Sequence, residues 1–138
     1  MTYKKVFVDS DTLLDLLLQR EPFYRFSQIL LQQGKTERIN FYTSTLILAN
    51  IHYLLAKKFN KHIAKNLLRE LLEEVEMLPF EPEIIRLSLE SEHIDFEDTM
   101  QFYIAKQHEC QVIVSRNIKH YKKFDLPVLT AEEFLATL

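Results

Sequence analysis

The chain has 138 residues, 47% hydrophobic and 27% charged, with a formal net charge of −3; this suits one domain with a substantial core and is too short for two. The near-neutral balance excludes a highly basic nucleic-acid coat, though not a local basic patch. One cysteine, Cys110, excludes an intramolecular disulfide and a zinc cluster, and one glycine, Gly34, excludes the Gly-rich loops that cradle nucleotide phosphates. The basic opening Met1-Thr2-Tyr3-Lys4-Lys5 leads into an apolar run that stops at Asp9, too short for the core of a signal peptide. No segment reaches the length of a membrane span, so a cytoplasmic protein is expected.

Val6-Phe7-Val8 is β-branched and aromatic and predicts a buried strand ending at Asp9. Thr12 to Leu18 is leucine-rich and predicts a helix. After Pro22, Phe23 to Gln33 predicts a second helix, with Phe26, Ile29 and Leu30 at helical spacing and Gly34 as its C-cap. Ile39 to Tyr42 predicts the next strand, and Thr43 or Ser44 caps a long helix carrying Leu48, Ile51, His52 and Leu55. Asn60 restarts a helix through Glu74, with Ile63, Leu67, Leu68, Leu71 and Leu72 on one side. Met77 to Phe80 reads as a strand, and Pro82 starts a helix that continues through Ile84, Leu87 and Leu89. Asp95 opens a helix to about Glu109. Val112-Ile113-Val114 is the clearest strand and Pro127-Val128-Leu129 the last, before a capping box at Thr130-Ala131-Glu132-Glu133. This alternation predicts a single α/β domain over residues 1–138, with a mostly parallel sheet of about five strands and helices on both faces.

In such sheets, sites form beyond the carboxyl ends of the strands, at a switch in strand order. Asp9 follows the first strand, Asn117 follows Val112–Val114, and Asp98 opens the helix leading into that strand. Asn50, one to two turns into the helix after the second strand, reaches the same edge. Each has an ordinary structural explanation: Asp9 as a helix cap, Asp95, Glu97 and Asp98 as complements to a helix dipole, Asn117 as a turn residue. Their joint placement makes them the candidate site. Arg116, Lys119, His120, Lys122 and Lys123 form either a phosphate-gripping strip beside it or a solvated loop, and Arg20 is similarly open. His52 suits a core or an interface, and Tyr53, Leu54 and Leu55 suit the interface of a homodimer, because a helix apolar on more than one side needs a second partner.

The stretch from Val6 to Asp15 resembles the opening of PIN domains, where a hydrophobic strand runs into Asp-Thr-Asn-x-Leu-Leu-Asp. Asp95 to Gln101 is similar to that family's third acidic motif, with Ala105 at the following small-residue position. Val112 to Asn117 resembles its apolar strand followed by Thr-Arg-Asn, and Pro127 to Thr130 with Glu133-Phe134-Leu135 its usual ending. The motifs keep their order over nearly the whole chain. The family is best known from VapC-type toxins, so the resemblance implies a Mg2+- or Mn2+-dependent ribonuclease acting on RNA, partnered by a small antitoxin protein. It implies Asp9 and Asp98 as cation ligands, with Asp95, Glu97 and Asp11 in reserve. Asn117 and Asn50 then hydrogen-bond the cation's waters without adding charge.

There are two departures from the family pattern. Asn50 stands where PIN domains usually carry a glutamate, and Asp11 where the opening motif has an asparagine. The first supports an alternative, a catalytically weakened PIN domain that binds RNA or a partner protein. A receiver-like phospho-acceptor domain ranks last, because Met77-Leu78-Pro79-Phe80 is followed by Glu81 rather than an acceptor aspartate.

Overall fold

Five short strands assemble into one sheet in a computed structural model that describes residues 3–93 and 95–138. Met1 and Thr2, the start of the basic opening segment, lie outside the described residues, as does Ile94. The strands are β1 (Lys5–Val8), β2 (Asn40–Ser44), β3 (Val75–Leu78), β4 (Val112–Val114) and β5 (Val128–Leu129), in the spatial order β3-β2-β1-β4-β5. Every pairing among the described residues is parallel, with Val6 opposite both Phe41 and Val112, and Val8 opposite Val114. The expectation of a mostly parallel sheet is met in full. All three residues of Val6–Val8 and of Val112–Val114 have 0% exposure. Successive strand residues point to opposite faces, so both faces of the central strands are covered, as crossover connections require.

The helices are α1 (Ser10–Leu17), α2 (Tyr24–Thr36), α3 (Thr45–Lys58), α4 (Lys61–Leu71), α5 (Pro82–Glu90), α6 (Phe96–Gln107), α7 (Ile118–Tyr121) and α8 (Ala131–Leu135). Their starts follow the capping signals. Ser44 Oγ accepts from the Ile47 amide at 3.0 Å, Asn60 Oδ1 from the Ile63 amide at 2.8 Å, and Thr130 and Glu133 form the reciprocal box. Helix α1 starts at Ser10 rather than Thr12, because the Asp9 side chain caps it. Among the described residues, no helix is long and apolar enough to cross a membrane.

Several expected boundaries and faces differ. Gly34 is not a C-cap; α2 runs on to Thr36, and a Cβ at position 34 would meet the Phe41 ring at 3.0 Å. The glycine lets the helix approach β2 closely. The left-handed position after α2 is filled by Arg38 at φ 56°, and the one after α6 by Glu109 at φ 61°. Strand β3 is Val75–Leu78 instead of Met77–Phe80: Val75 and Leu78 are buried, and Pro79 has no amide hydrogen to extend the ladder. Helix α4 stops at Leu71, and Ile63 and Leu72 of its predicted apolar side are 39% and 36% exposed. Leu55, expected at a homodimer interface, is fully buried in the core, whereas Tyr53 and Leu54 are exposed.

Candidate active site

Strand order reverses between β1 and β4: the chain moves outward through β2 and β3, then returns to the other side of β1. The crevice at the carboxyl ends of β1 and β4 is the place this topology leaves open for a ligand. Asp9 lies at the end of β1 and Ser115 at the end of β4, and the Asp9 amide completes the ladder to the Val114 carbonyl at 2.9 Å. The Asp9 carboxylate accepts from the Ser10 amide at 2.8 Å and from Ser115 Oγ at 2.9 Å. It is 5% exposed. Burial, followed by the negative charge of Asp11, pushes its pKa up to about 7, against the pull of those two hydrogen bonds. Beneath it Tyr121 is fully buried, and burial, then the charges of Asp9 and Asp98, hold its hydroxyl in the protonated form.

Helix α6 delivers Asp98 to the same edge. Asp95 caps the helix by accepting from the Asp98 amide at 2.9 Å, which fixes the first turn. A buried bond from Ser44 Oγ to Gln101 Oε1, 2.7 Å, ties the start of α3, the helix that carries Asn50, to α6. The carboxyl of Asp98 is also pushed up, by burial and then by Asp95, with His120 opposing. His120 Nδ1 forms an ion pair with Asp98 Oδ2 at 2.9 Å, and that oxygen accepts no hydrogen bond from any other described residue.

A cavity of about 160 Å3 is lined by Asp9, Asn50, Glu97 and Asp98, together with Ser10 and Gln101. Of the sequence-predicted residues, the structure thus brings together Asp9, Asp98, Asn50 and the reserve Glu97. Asp95 meets Asp98 and His120 instead, their ligand atoms all within 4.8 Å of one another, and lines a larger neighbouring cavity. Asp11 does not line the smaller cavity: its Oδ2 accepts from the Arg116 amide at 2.9 Å and so pins the loop after β4. Asn117 is exposed; its amide donates to Ser115 Oγ at 3.0 Å, and its side chain has no hydrogen-bond partner among the described residues.

In the basic strip, Arg116 is engaged locally. It forms a bidentate pair with Asp15 (2.8 and 3.0 Å), which also accepts from Arg20 at 2.9 Å, and its guanidinium lies 4.0 Å over the Phe23 ring. Lys119, Lys122 and Lys123 are exposed, and Lys119 and Lys123 line the larger cavity. Sequence reasoning assigned no role to Asp15, Ser115 or Gln101. Asp15 lies one turn after Asp11, a spacing that puts both on one helix face; Ser115 and Gln101 fall within the stretches that resemble family motifs, but their partners Asp9 and Ser44 are distant in sequence.

Clustered carboxylates repel each other and favour protonation unless a cation neutralises them. Burial and the charge of Asp11 make ionisation of Asp9 costly, Asp98 Oδ2 accepts no hydrogen bond from any described residue other than His120, and hard oxygen donors suit a divalent cation. Fold and site together define a small α/β domain with an acidic carboxyl edge. The sequence pattern of the PIN domain matches residues 5–119, and the chain belongs to the PIN domain family. It is similar to Ribonuclease VapC1 of Aquifex aeolicus (strain VF5), 29% identical over 139 residues that cover 97% of this chain and 95% of that protein. Among solved structures it shares its fold with the DNA-bound VapBC of Salmonella typhimurium, at a TM-score of 0.70 and 14% identity, covering 93% of this chain and 98% of that one. The sarcin–ricin loop cleaving toxin VapC20 of Mycobacterium tuberculosis matches at a TM-score of 0.65 and 12% identity, covering 85% of this chain and 93% of that one.

Proposed function

We propose that the protein is a Mg2+- or Mn2+-dependent endoribonuclease that cleaves RNA phosphodiester bonds. In this reading it is the cytoplasmic toxin of a toxin–antitoxin pair, held by a small antitoxin and forming a homodimer. The observation that carries the reading is the convergence of Asp9, Glu97 and Asp98 on one cavity at the switch in strand order. The similarity to a protein named as a ribonuclease supports the reaction, and the fold shared with a toxin–antitoxin complex from Klebsiella pneumoniae supports the partner.

Asp9 and Asp98 would hold the cation, with Glu97 within the same cavity and Asp95 and Asp11 in reserve. A divalent cation held there would supply the activation of a water for attack at phosphorus and stabilisation of the leaving oxygen. Ser115 and the Ser10 amide orient the Asp9 carboxylate, and the Asp95 cap orients Asp98. Asn50 and Asn117 supply hydrogen bonds without charge. Lys119, Lys122 and Lys123 attract the phosphates of the RNA. Arg116 completes that basic strip, reaching a phosphate from its seat on Asp15.

The neutral Asn50 is the one feature that favours a weakened, binding-only relative. Glu97 offsets it, because it lines the smaller cavity beside Asp9 and Asp98. Purified protein should cleave RNA with manganese or magnesium and lose the activity in EDTA. Asp9→Asn and Asp98→Asn should each abolish most of it with an unchanged circular dichroism spectrum. Full activity in both variants would falsify the assignment of the site; RNA binding without any cleavage by the parent would favour the binding module.

A further inference from the structure

The larger cavity beside the acidic edge has a volume of about 620 Å3, within the roughly 300–1,000 Å3 typical of small-ligand sites. Its wall combines aromatic side chains, His93, Phe96 and Phe124, with the cations Lys119 and Lys123. Phe96 is the first residue of α6, is 39% exposed, and takes no part in the hydrophobic core. Phe124, in contrast, is anchored: it stacks on Phe102 with ring centroids 4.4 Å apart and planes at 17°, and His93 tilts against it at 4.3 Å. Glu97 lines both this cavity and the smaller one that holds Asp9 and Asp98. The two spaces are therefore neighbours along any strand that crosses the acidic edge.

Resting on the ribonuclease reading, we propose that this cavity is a subsite for one unpaired nucleotide flanking the scissile phosphate. The base stacks against Phe96 and the Phe124–His93 platform, and its phosphate meets Lys119 and Lys123. Asp95 and Glu97, also in the wall, accept hydrogen bonds from the base's N–H groups. An acidic peptide satisfies the lysines but is repelled by those two carboxylates. A nucleotide satisfies the rings, the cations and the acceptors together. Duplex RNA keeps its bases stacked inside the helix, where side-chain rings do not reach them.

The test is fluorescence anisotropy in EDTA, where binding is read without cleavage. Three probes are compared: a labelled single-stranded RNA, its duplex, and a single strand of the same length with abasic sites. The parent should prefer the single strand. Phe96→Ala should weaken that binding on the order of ten-fold, as loss of a base–aromatic stack does. Phe96→Trp should restore it, and the abasic strand should bind parent and Phe96→Ala alike. Equal affinity of parent and Phe96→Ala for the single strand overturns the subsite. So does an equal loss on the abasic strand, or a parent that binds duplex as well as single strand. A parent that binds none of the probes, and cleaves no RNA with manganese, defeats the ribonuclease reading itself. Manganese-dependent cleavage kept alongside unchanged Phe96→Ala affinity defeats only the subsite.

Discussion

Replacing Asp9 by asparagine tests the electrostatics of the site without reference to RNA. Its carboxyl is pushed from 3.8 to about 7 by burial and by Asp11. A shift of about three pKa units corresponds to roughly 4 kcal/mol. The sign follows from linkage. Below pH 4 the carboxyl is protonated in both folded and unfolded chains, and the raised pKa costs nothing. Between pH 4 and 7 the unfolded chain ionises while the folded chain resists, so the parent loses stability as pH rises, and the loss levels off above pH 7. Asparagine does not ionise, keeps an oxygen for the Ser10 amide, and offers its amide group to Ser115 Oγ. Urea unfolding in EDTA should therefore show Asp9→Asn gaining on the parent between pH 4 and pH 8, by up to roughly 4 kcal/mol. Groups distant from Asp9 titrate alike in both proteins and cancel in the difference, whereas Asp11 and Asp98 are coupled to Asp9 and share in its pH dependence. Manganese should then reverse the order at pH 8, stabilising the parent by mass action and the variant far less. A stability difference that stays constant across this pH range would refute the claim that Asp9 sits where charge is disfavoured.

Arg20 and Arg116 share the buried Asp15, so Arg20→Met and Arg116→Met should each cost only about 1 kcal/mol, and the pair together about 3–5 kcal/mol, because the carboxylate is then buried and unpaired. Additive losses in a double-mutant cycle would show that the two arginines do not substitute for each other. Gly34→Ala should destabilise by about 1–3 kcal/mol despite alanine's better helix propensity, since its Cβ would meet the buried Phe41 ring; a higher melting temperature would contradict that contact. Asn50→Glu should enlarge the manganese-induced rise in melting temperature and lower the metal-free value, because it adds a like charge to the Asp9–Asp98 cavity. An unchanged manganese shift would place position 50 outside the cation's reach. Lys119→Ala with Lys123→Ala should flatten the salt dependence of RNA affinity by a slope of about 1.4, and an unaltered slope would mean that neither lysine touches phosphate.

The order of elements was legible in the chain because local chemistry specifies it. Val6–Val8 and Val112–Val114 are continuous apolar runs, which only strands covered on both faces can bury, and they proved to be the central pair of the sheet. Asn60, Ser44 and Thr130 announced helix starts through side chains that satisfy the amides next to them. Asp9, Asp98 and Asn50 were legible as neighbours because a strand end, the start of the helix feeding a parallel strand, and the helix after a strand all lie at one sheet edge. Everything that depended on contact between distant segments was decided by the tertiary structure. The lone glycine looked like a helix stop, yet it serves the approach of α2 to Phe41, a neighbour no local pattern reveals. Leu55 looked free for an interface until packing enclosed it. The pairing of Arg116 with Asp15, 101 residues away, left no mark in the local sequence. Ser115 orients Asp9 across 106 residues, and Gln101 reaches Ser44 across 57. Periodicity and capping are short-range physics and leave their mark on adjacent residues. Charge pairing, pKa and cavity walls arise only where the folded chain brings separate segments within a few ångströms and removes the water between them.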